Sequence, residues 1–425
     1  MSVPKKTSPW SWVPTLYVAE GLPYALVMSV SVVLYKNLGV SNAAIAFWSS
    51  LLGLPWVLKP LWSPAVDLLK TRRLWIWSMQ LFMGAALAGV ALALPVPHFF
   101  QITLALFWLL AFASATHDIA ADGFYILALD EGDQALFSGV RNTFYRVANL
   151  VAQGGLVIFA GKMQKLTDSY ATAWLLAFSL VAGIVFALAI YHRRFLPRPV
   201  ADFANVKPEK RLPENFAETF HAFFQKPGIG VMLAFVLLYR FGEAQLLPVA
   251  KLFLLDARNK GGLALTDEQF GNLYGYCGIG ALLLGGLLGG YAVSRRGLKF
   301  WLWPMLFAIH LPDAVFIWLS AAQPQNLFAI GAGVAVEQFG YGFGFTAFML
   351  YLIRLARGAH ATAHYALCTG FMALGMMVPG LWSGWLQSQL GYKAFFAWVL
   401  LATIPSFLVA LKIPLEAEFG KRQNR

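Results

Sequence analysis

Charge is scarce in this sequence. Asp, Glu, Lys and Arg make up 12% of its 425 residues, against about a quarter in an ordinary soluble chain. Cysteine is scarcer: Cys277 and Cys368 both lie in apolar runs with no clustered ligands nearby, so they read as small core residues and not as metal or redox groups. A catalytic nucleophile constellation and a metal-ligand set are also missing. The expectation is therefore that the chain is not an enzyme and needs no cofactor or metal. No cleavable signal is visible, because Met1–Pro9 is short and basic and the apolar stretch after it is too long for a signal core.

Apolar residues fill the space. The chain is 59% hydrophobic, with 35 Phe, 15 Trp and a mean hydropathy of +0.63. They come in runs of roughly 20, long enough to cross a ~30 Å hydrocarbon core as helices. Helices are the default there, since lipid satisfies no backbone group. Twelve spans are expected, at about 10–37, 43–68, 73–94, 99–127, 136–163, 170–191, 229–255, 266–293, 299–321, 326–354, 362–387 and 392–411. With both termini on one side, that side receives 22 Lys and Arg and the other receives 7. The excess predicts cytoplasmic termini. It also accounts for the +12 net charge without a nucleic-acid partner; the lipid bilayer is the partner the composition calls for.

The longest polar stretch is 192–228. It holds Pro197, Pro199, Pro208 and Pro213 among Lys207, Lys210 and Arg211 and reads as a cytoplasmic linker. Within it, Glu214–Phe224 alternates as an amphipathic helix that lies on the membrane surface. Three regions follow: a six-helix half at 1–191, the linker at 192–228, and a second six-helix half at 229–425. A faint repeat joins the halves. Arg73-Leu74-Trp75-Ile76-Trp77 resembles Lys299-Phe300-Trp301-Leu302-Trp303, each after a basic loop.

Ionisable residues inside the spans are the candidate functional groups. In the fourth span, Ala115-Thr116-His117-Asp118-Ile119-Ala120-Ala121-Asp122-Gly123 interrupts an apolar run. Asp118 and Asp122 are four apart and share a helix face. A carboxylate facing hydrocarbon costs at least ~2.5–3.5 kcal/mol, so this face must line water, a cation or a substrate path. Counted inward at ~1.5 Å per residue, Glu20, Lys59, Asp118, Asp122 and Arg146 fall in one layer. In the second half, Arg240 and Glu243 lie in the seventh span, His310 and Asp313 in the ninth, and Glu337 in the tenth. Two readings stand for these charges. One is a buried ion-pair network that only locks helices together, and Arg240 with Glu243 fits it by spacing alone. The other is a path for a charged solute. Tyr24, Trp48, Trp56, Phe124, Tyr125, Tyr145 and Tyr341 lie in or near the same spans, where most such rings face lipid or core and some are free to stack on a ligand ring. Gly340-Tyr341-Gly342-Phe343-Gly344 marks close helix packing.

Two features resemble the major facilitator superfamily: the 6+6 layout, and the loop Asp67-Leu68-Leu69-Lys70-Thr71-Arg72-Arg73 with its acidic-then-basic order. The corresponding loop of the second half, Gly289–Gly297, keeps glycines and arginines without the Asp. A closer resemblance is to the AmpG-like muropeptide permeases. It is carried by Glu20-Gly21-Leu22-Pro23, by Gly53-Leu54-Pro55-Trp56-Val57-Leu58-Lys59-Pro60-Leu61-Trp62-Ser63-Pro64, and by the His117–Asp122 segment. It covers most of the first half. The resemblance implies an all-α membrane protein of twelve transmembrane helices in two pseudo-symmetric halves, in which spans one, four, seven and ten line the central path. It also implies gate residues at Asp67, Arg72 and Arg73.

The function expected is proton-coupled import of a polar solute across the bacterial inner membrane by alternating access, with anhydro-muropeptides as the cargo the resemblance implies. In a low-dielectric cavity the neutral form of a carboxyl is favoured, so it binds a proton on the acidic face and releases it inside. Asp122 is the first candidate for that proton, then Asp118 or Glu337. Glu20, Lys59, Arg146, Arg240, Glu243 and Tyr145 are the candidate substrate-binding residues. A monomer is expected. A siderophore importer and an acetyl-coenzyme A transporter of the same architecture are the alternatives. ATP-driven transport is not expected, because no Gly-x-x-x-x-Gly-Lys-Ser/Thr loop is present.

Overall fold

The computed structural model describes residues 8–40, 48, 51–202, 212–265 and 267–422. The first residues of the expected second span and residues 203–211 of the expected linker lie outside them. Among the described residues, ten helical stretches are long and apolar enough to cross a membrane. We label the spans in chain order: α1 Pro9–Asn37, α3 Arg72–Ala93, α4 Phe99–Ala128, α5 Glu131–Thr167, α6 Tyr170–Phe195, α7 Ile229–Leu255, α8 Asn272–Arg296, α9 Leu298–Ala322 and α10 Leu327–Ala356. The last stretch, Ala361–Ala410, is divided at Gly391, whose φ of 72° breaks the helical path. It supplies α11 (361–390) and α12 (392–410).

The label α2 is kept for a broken span, where the sequence reading expected a continuous one. It consists of Leu54–Leu58, Lys59–Leu61 and Ser63–Leu69. Pro55, Pro60 and Pro64 each stand in the first turn of one piece. A proline lacks the N–H that would continue the preceding helix. Lys59 therefore sits in a short 3₁₀ turn, buried beside a helix break.

The chain forms two compact units. The first contains Met1–Leu129, Arg141–Phe220 and Gly358–Ala366; the second contains Asp130–Val140, His221–Arg357 and Leu367–Arg425. In the first unit, α3 packs against α4 and α6 around Met83, Leu87, Val90, Phe107, Phe178 and Val185. A buried polar chain crosses the same helices. His192 Nδ1 meets Gln80 Oε1 at 2.9 Å, Gln80 Nε2 meets His117 Nε2 at 2.8 Å, and His192 Nε2 meets Thr15 Oγ1 at 3.0 Å.

In the second unit, α10 packs against α8 and α9. Its three alternate glycines explain how. Gly340 and Gly344, four apart, face α9: a Cβ on them would stand 2.0 Å from the Ala308 carbonyl oxygen and 2.5 Å from that of Met305. Gly342 faces α8, where a Cβ would stand 2.0 Å from the Leu282 carbonyl oxygen. Lipid tails are as apolar as leucine, so small residues that let backbones approach do the work that hydrophobic burial does in water.

The third span of each unit is finished by a segment that returns to it after the sixth. Asp202, beyond α6, accepts the backbone N–H of Arg72 at 2.7 Å and of Arg73 at 3.2 Å, satisfying donors at the start of α3. Beyond α12, the Phe419 carbonyl accepts the Leu298 N–H at 2.8 Å at the start of α9. The faint Arg73/Lys299 repeat marks these two helix starts. Lys226 closes α10 differently, donating to the carbonyls of Leu355 and Arg357 at 2.5 and 2.8 Å. Burial holds its ammonium below the usual lysine range.

Candidate functional site

In the first unit α4 carries two carboxylates on one face, and neighbouring elements bring charges to them. Lys59, at the break in α2, donates to Asp118. Arg141 of α5 lies 3.2 Å from Asp122. The Tyr17 hydroxyl donates to Asp122 at 3.1 Å and accepts from Arg141 at 3.0 Å. A second Arg141 nitrogen donates to the Tyr365 hydroxyl at 2.8 Å. Glu20 of α1 completes the layer: carboxylate oxygens of Glu20, Asp118 and Asp122 lie within 4.8 Å of one another. Beside it, Gly21 lets α5 come close to α1; a Cβ there would meet the Tyr145 carbonyl oxygen at 2.6 Å. All five charged groups are buried.

Three aromatic rings border this layer. Tyr24 packs edge-on against Trp56 at 5.0 Å between centroids and lies 6.2 Å from Tyr145. All three are half-buried, leaving ring surface for a ligand. Phe124 and Tyr125, which the sequence offered equally, are wholly buried and packed against Trp12 and Tyr17.

The sequence placed Arg146 in the charged layer and counted Arg141 as an inner-loop charge. The structure exchanges them. Arg141 is 4% exposed and bonded to Asp122, whereas Arg146 is half-buried. Five helical positions put the two side chains about 140° apart, so only one faces α4. A signal was available: Arg141 is four residues before Tyr145 and shares its face. Tyr17 and Tyr365 carried no such signal, because their partners are remote in sequence.

The expected gate residues also find partners in the first unit. Arg72, 1% exposed, donates to Asp67 and to the Thr362 hydroxyl at 3.1 Å. Asp67 accepts the Ala363 N–H at 2.9 Å, in the first turn of α11, where a helix end favours an anion. Gly123, just after Asp122, makes room for Thr362, whose hydroxyl would lie 2.3 Å from a Cβ there. Arg73 donates to the carbonyls of Leu196 and Arg193.

In the second unit, Arg240 interrupts α7 between Ile229–Leu238 and Phe241–Leu255. It donates to both oxygens of Glu243, at 3.1 and 3.2 Å, and to the Tyr341 hydroxyl at 2.7 Å. Its guanidinium also stands 4.9 Å from the centre of the Phe345 ring. Glu337 accepts from Gln338 at 2.9 Å. Asp313 is 1% exposed, and both its oxygens are buried without a hydrogen-bond partner among the described residues. Buried His310 meets the Ser406 hydroxyl at 3.0 Å.

Buried, paired charges bordered by half-open aromatic rings suit recognition of a polar, charged solute, not bond-making chemistry. Comparison with known proteins gives the family. The sequence model of the Major Facilitator Superfamily matches residues 15–378. The chain belongs to the major facilitator superfamily. Like other members, it is a multi-pass membrane transporter and not an enzyme. A putative transporter AmpG 4 of Rickettsia conorii is 25% identical over 413 residues, covering 93% of this chain and 94% of its own. An anhydromuropeptide permease of Escherichia coli K12 is 26% identical over 400 residues, covering 92% and 77%. Among solved structures, the major facilitator transporter FucP in the outward conformation superposes with a TM-score of 0.70 at 11% identity, over 96% of this chain and 99% of its own. That likeness bears on the fold. It agrees with the twelve-span, two-domain major facilitator architecture expected from the sequence.

Proposed function

We propose that this transporter imports anhydro-muropeptides across the bacterial cytoplasmic membrane in symport with protons, as a step of peptidoglycan recycling. It acts as a monomer by alternating access, with both termini in the cytoplasm. One observation carries this reading: a layer of buried cations and carboxylates is bordered by the half-open rings of Tyr24, Trp56 and Tyr145. Aromatic faces suit the apolar faces of sugar rings. Lys59, Arg146 and Arg240 suit peptide carboxylates. The relatives named as AmpG transporters and as an anhydromuropeptide permease favour this cargo over an iron chelate or acetyl-coenzyme A.

Each inward proton gains ~2.3 kcal/mol per 100 mV of membrane potential, enough to accumulate solute. The proton binds within the carboxylate layer of Glu20, Asp118 and Asp122 or at Glu337. Asp67, Arg72 and Arg73 act as a gate that opens and closes once per cycle, between halves divided at the 192–228 linker. The test is uptake into proteoliposomes, with and without an inward proton gradient, of a labelled anhydro-muropeptide, an iron siderophore and acetyl-coenzyme A. Gradient-stimulated accumulation of the muropeptide alone supports the reading. Accumulation of either other solute, or no response to the gradient, overturns it.

A further inference from the structure

The three carboxylates of the first unit are not equivalent. Asp118 is held by Lys59, and Asp122 by Arg141 and the Tyr17 hydroxyl. Among the described residues Glu20 takes part in no ion pair; its carboxyl shares a hydrogen bond with that of Asp118, and its Oε2 is buried with no hydrogen-bond partner. It is 8% exposed and aimed into the cluster, its carboxylate oxygen within 4.8 Å of both aspartates. Three carboxylates face two cations, so the fully ionised layer carries one uncompensated negative charge. An unpaired buried charge is the arrangement proteins avoid by neutralising the group. The layer is balanced when one carboxyl is neutral, and Glu20 is the one whose neutralisation breaks no ion pair.

We propose that Glu20 is the carboxyl that takes up and gives back the coupling proton. This rests on the proton-coupled reading above and narrows it, moving the role away from Asp122. As the proton arrives from one aqueous face, an O–H bond forms on Glu20 and the layer becomes neutral. As the proton leaves to the other face, that bond breaks and the negative charge returns. Lys59 and Arg141 stay on their aspartates through both steps. The groups that face Glu20 are Asp118 and Asp122 from α4, Lys59 from α2, Arg141 and Tyr145 from α5, Tyr17 from its own helix, and Tyr365. Tyrosine ordinarily titrates near ~10, and both aspartates are held by cations, so Glu20 is the member free to change charge at no cost in pairing.

The experiment is an infrared pH titration of the full-length protein in lipid bilayers, with no solute added. A carboxylic C=O band that appears and disappears with pH is expected. It should shift in frequency when glutamate is isotopically labelled and stay in place when aspartate is labelled. It should be lost in Glu20→Gln, move in Glu20→Asp, and persist in Glu337→Gln. A band that follows the aspartate label, or one that survives Glu20→Gln, overturns the proposal. So does a site that ignores pH and instead responds to sodium. The labelling arm needs no variant, so it stands even if Glu20→Gln does not fold. Cargo identity does not enter, so a wrong cargo shows in the uptake panel and leaves this result intact.

Discussion

The Arg141 guanidinium lies 3.2 Å from the Asp122 carboxylate, and the Tyr17 hydroxyl bonds to both. Arg141 is 4% exposed and Asp122 6%. Removing one partner of a buried pair leaves an uncompensated charge and costs about 3–5 kcal/mol. Arg141→Met should therefore lower stability by that amount. Arg141→Met combined with Asp122→Asn should recover most of it, since no charge is then stranded. Unfolding in detergent of the two single variants and the double variant checks this. Strictly additive losses would show that the two groups do not interact.

Gln80 is the hinge of the polar chain, accepting from His192 and donating to His117. Gln80→Leu keeps the volume and removes both bonds. Each buried polar group left unsatisfied costs about 1–3 kcal/mol, so the variant should lose about 2–6 kcal/mol. Thermal unfolding is the measurement, and a loss below ~1 kcal/mol would mean that water replaces the amide.

Gly342 and Gly280 are helical glycines with opposite surroundings. A Cβ on Gly342 would stand 2.0 Å from the Leu282 carbonyl oxygen, whereas among the described residues nothing beyond its own helix turn lies within 4 Å of one on Gly280. Gly342→Ala should push α8 from α10 and cost about 1–3 kcal/mol or more. Gly280→Ala should be neutral or gain up to ~1 kcal/mol from helix propensity. The melting temperature should fall in Gly342→Ala and hold or rise in Gly280→Ala.

Arg354 grips Glu416 with two hydrogen bonds, both 2.6 Å. These bonds hold the Glu416 carboxyl down at about 2. An unfolded glutamate titrates near ~4.3. The folded value is the lower one, so the contribution is complete above ~4.3 and is lost as pH falls toward about 2. The Glu416 side chain is 61% exposed, which limits the worth of the pair to about 1 kcal/mol or less. Glu416→Gln should melt slightly below the parent at neutral pH and converge with it as the pH is lowered across that window.

The sequence by itself determined the class of this protein. Scarce charge and ~20-residue apolar runs leave helical spans as the only way to satisfy the backbone in lipid. The cost of charge in hydrocarbon made Glu20, Lys59, Asp118, Asp122, Arg240, Glu243 and Glu337 stand out as candidates without any structure. Helical spacing also paired Arg240 with Glu243, because three positions along one helix are a local distance.

Partnership between helices was a tertiary matter. Depth counting put Arg141 and Arg146 within a turn and a half of each other, but only the rotation of α5 about its axis decides which of them meets Asp122. The two breaks in α2 leave Lys59 beside Asp118. Asp202 finds α3, and Thr362 finds Gly123, across long separations that no spacing rule covers. A helix has a fixed period along its own axis, which a sequence displays; it has no fixed rotation or register against its neighbours, and that is set by packing alone.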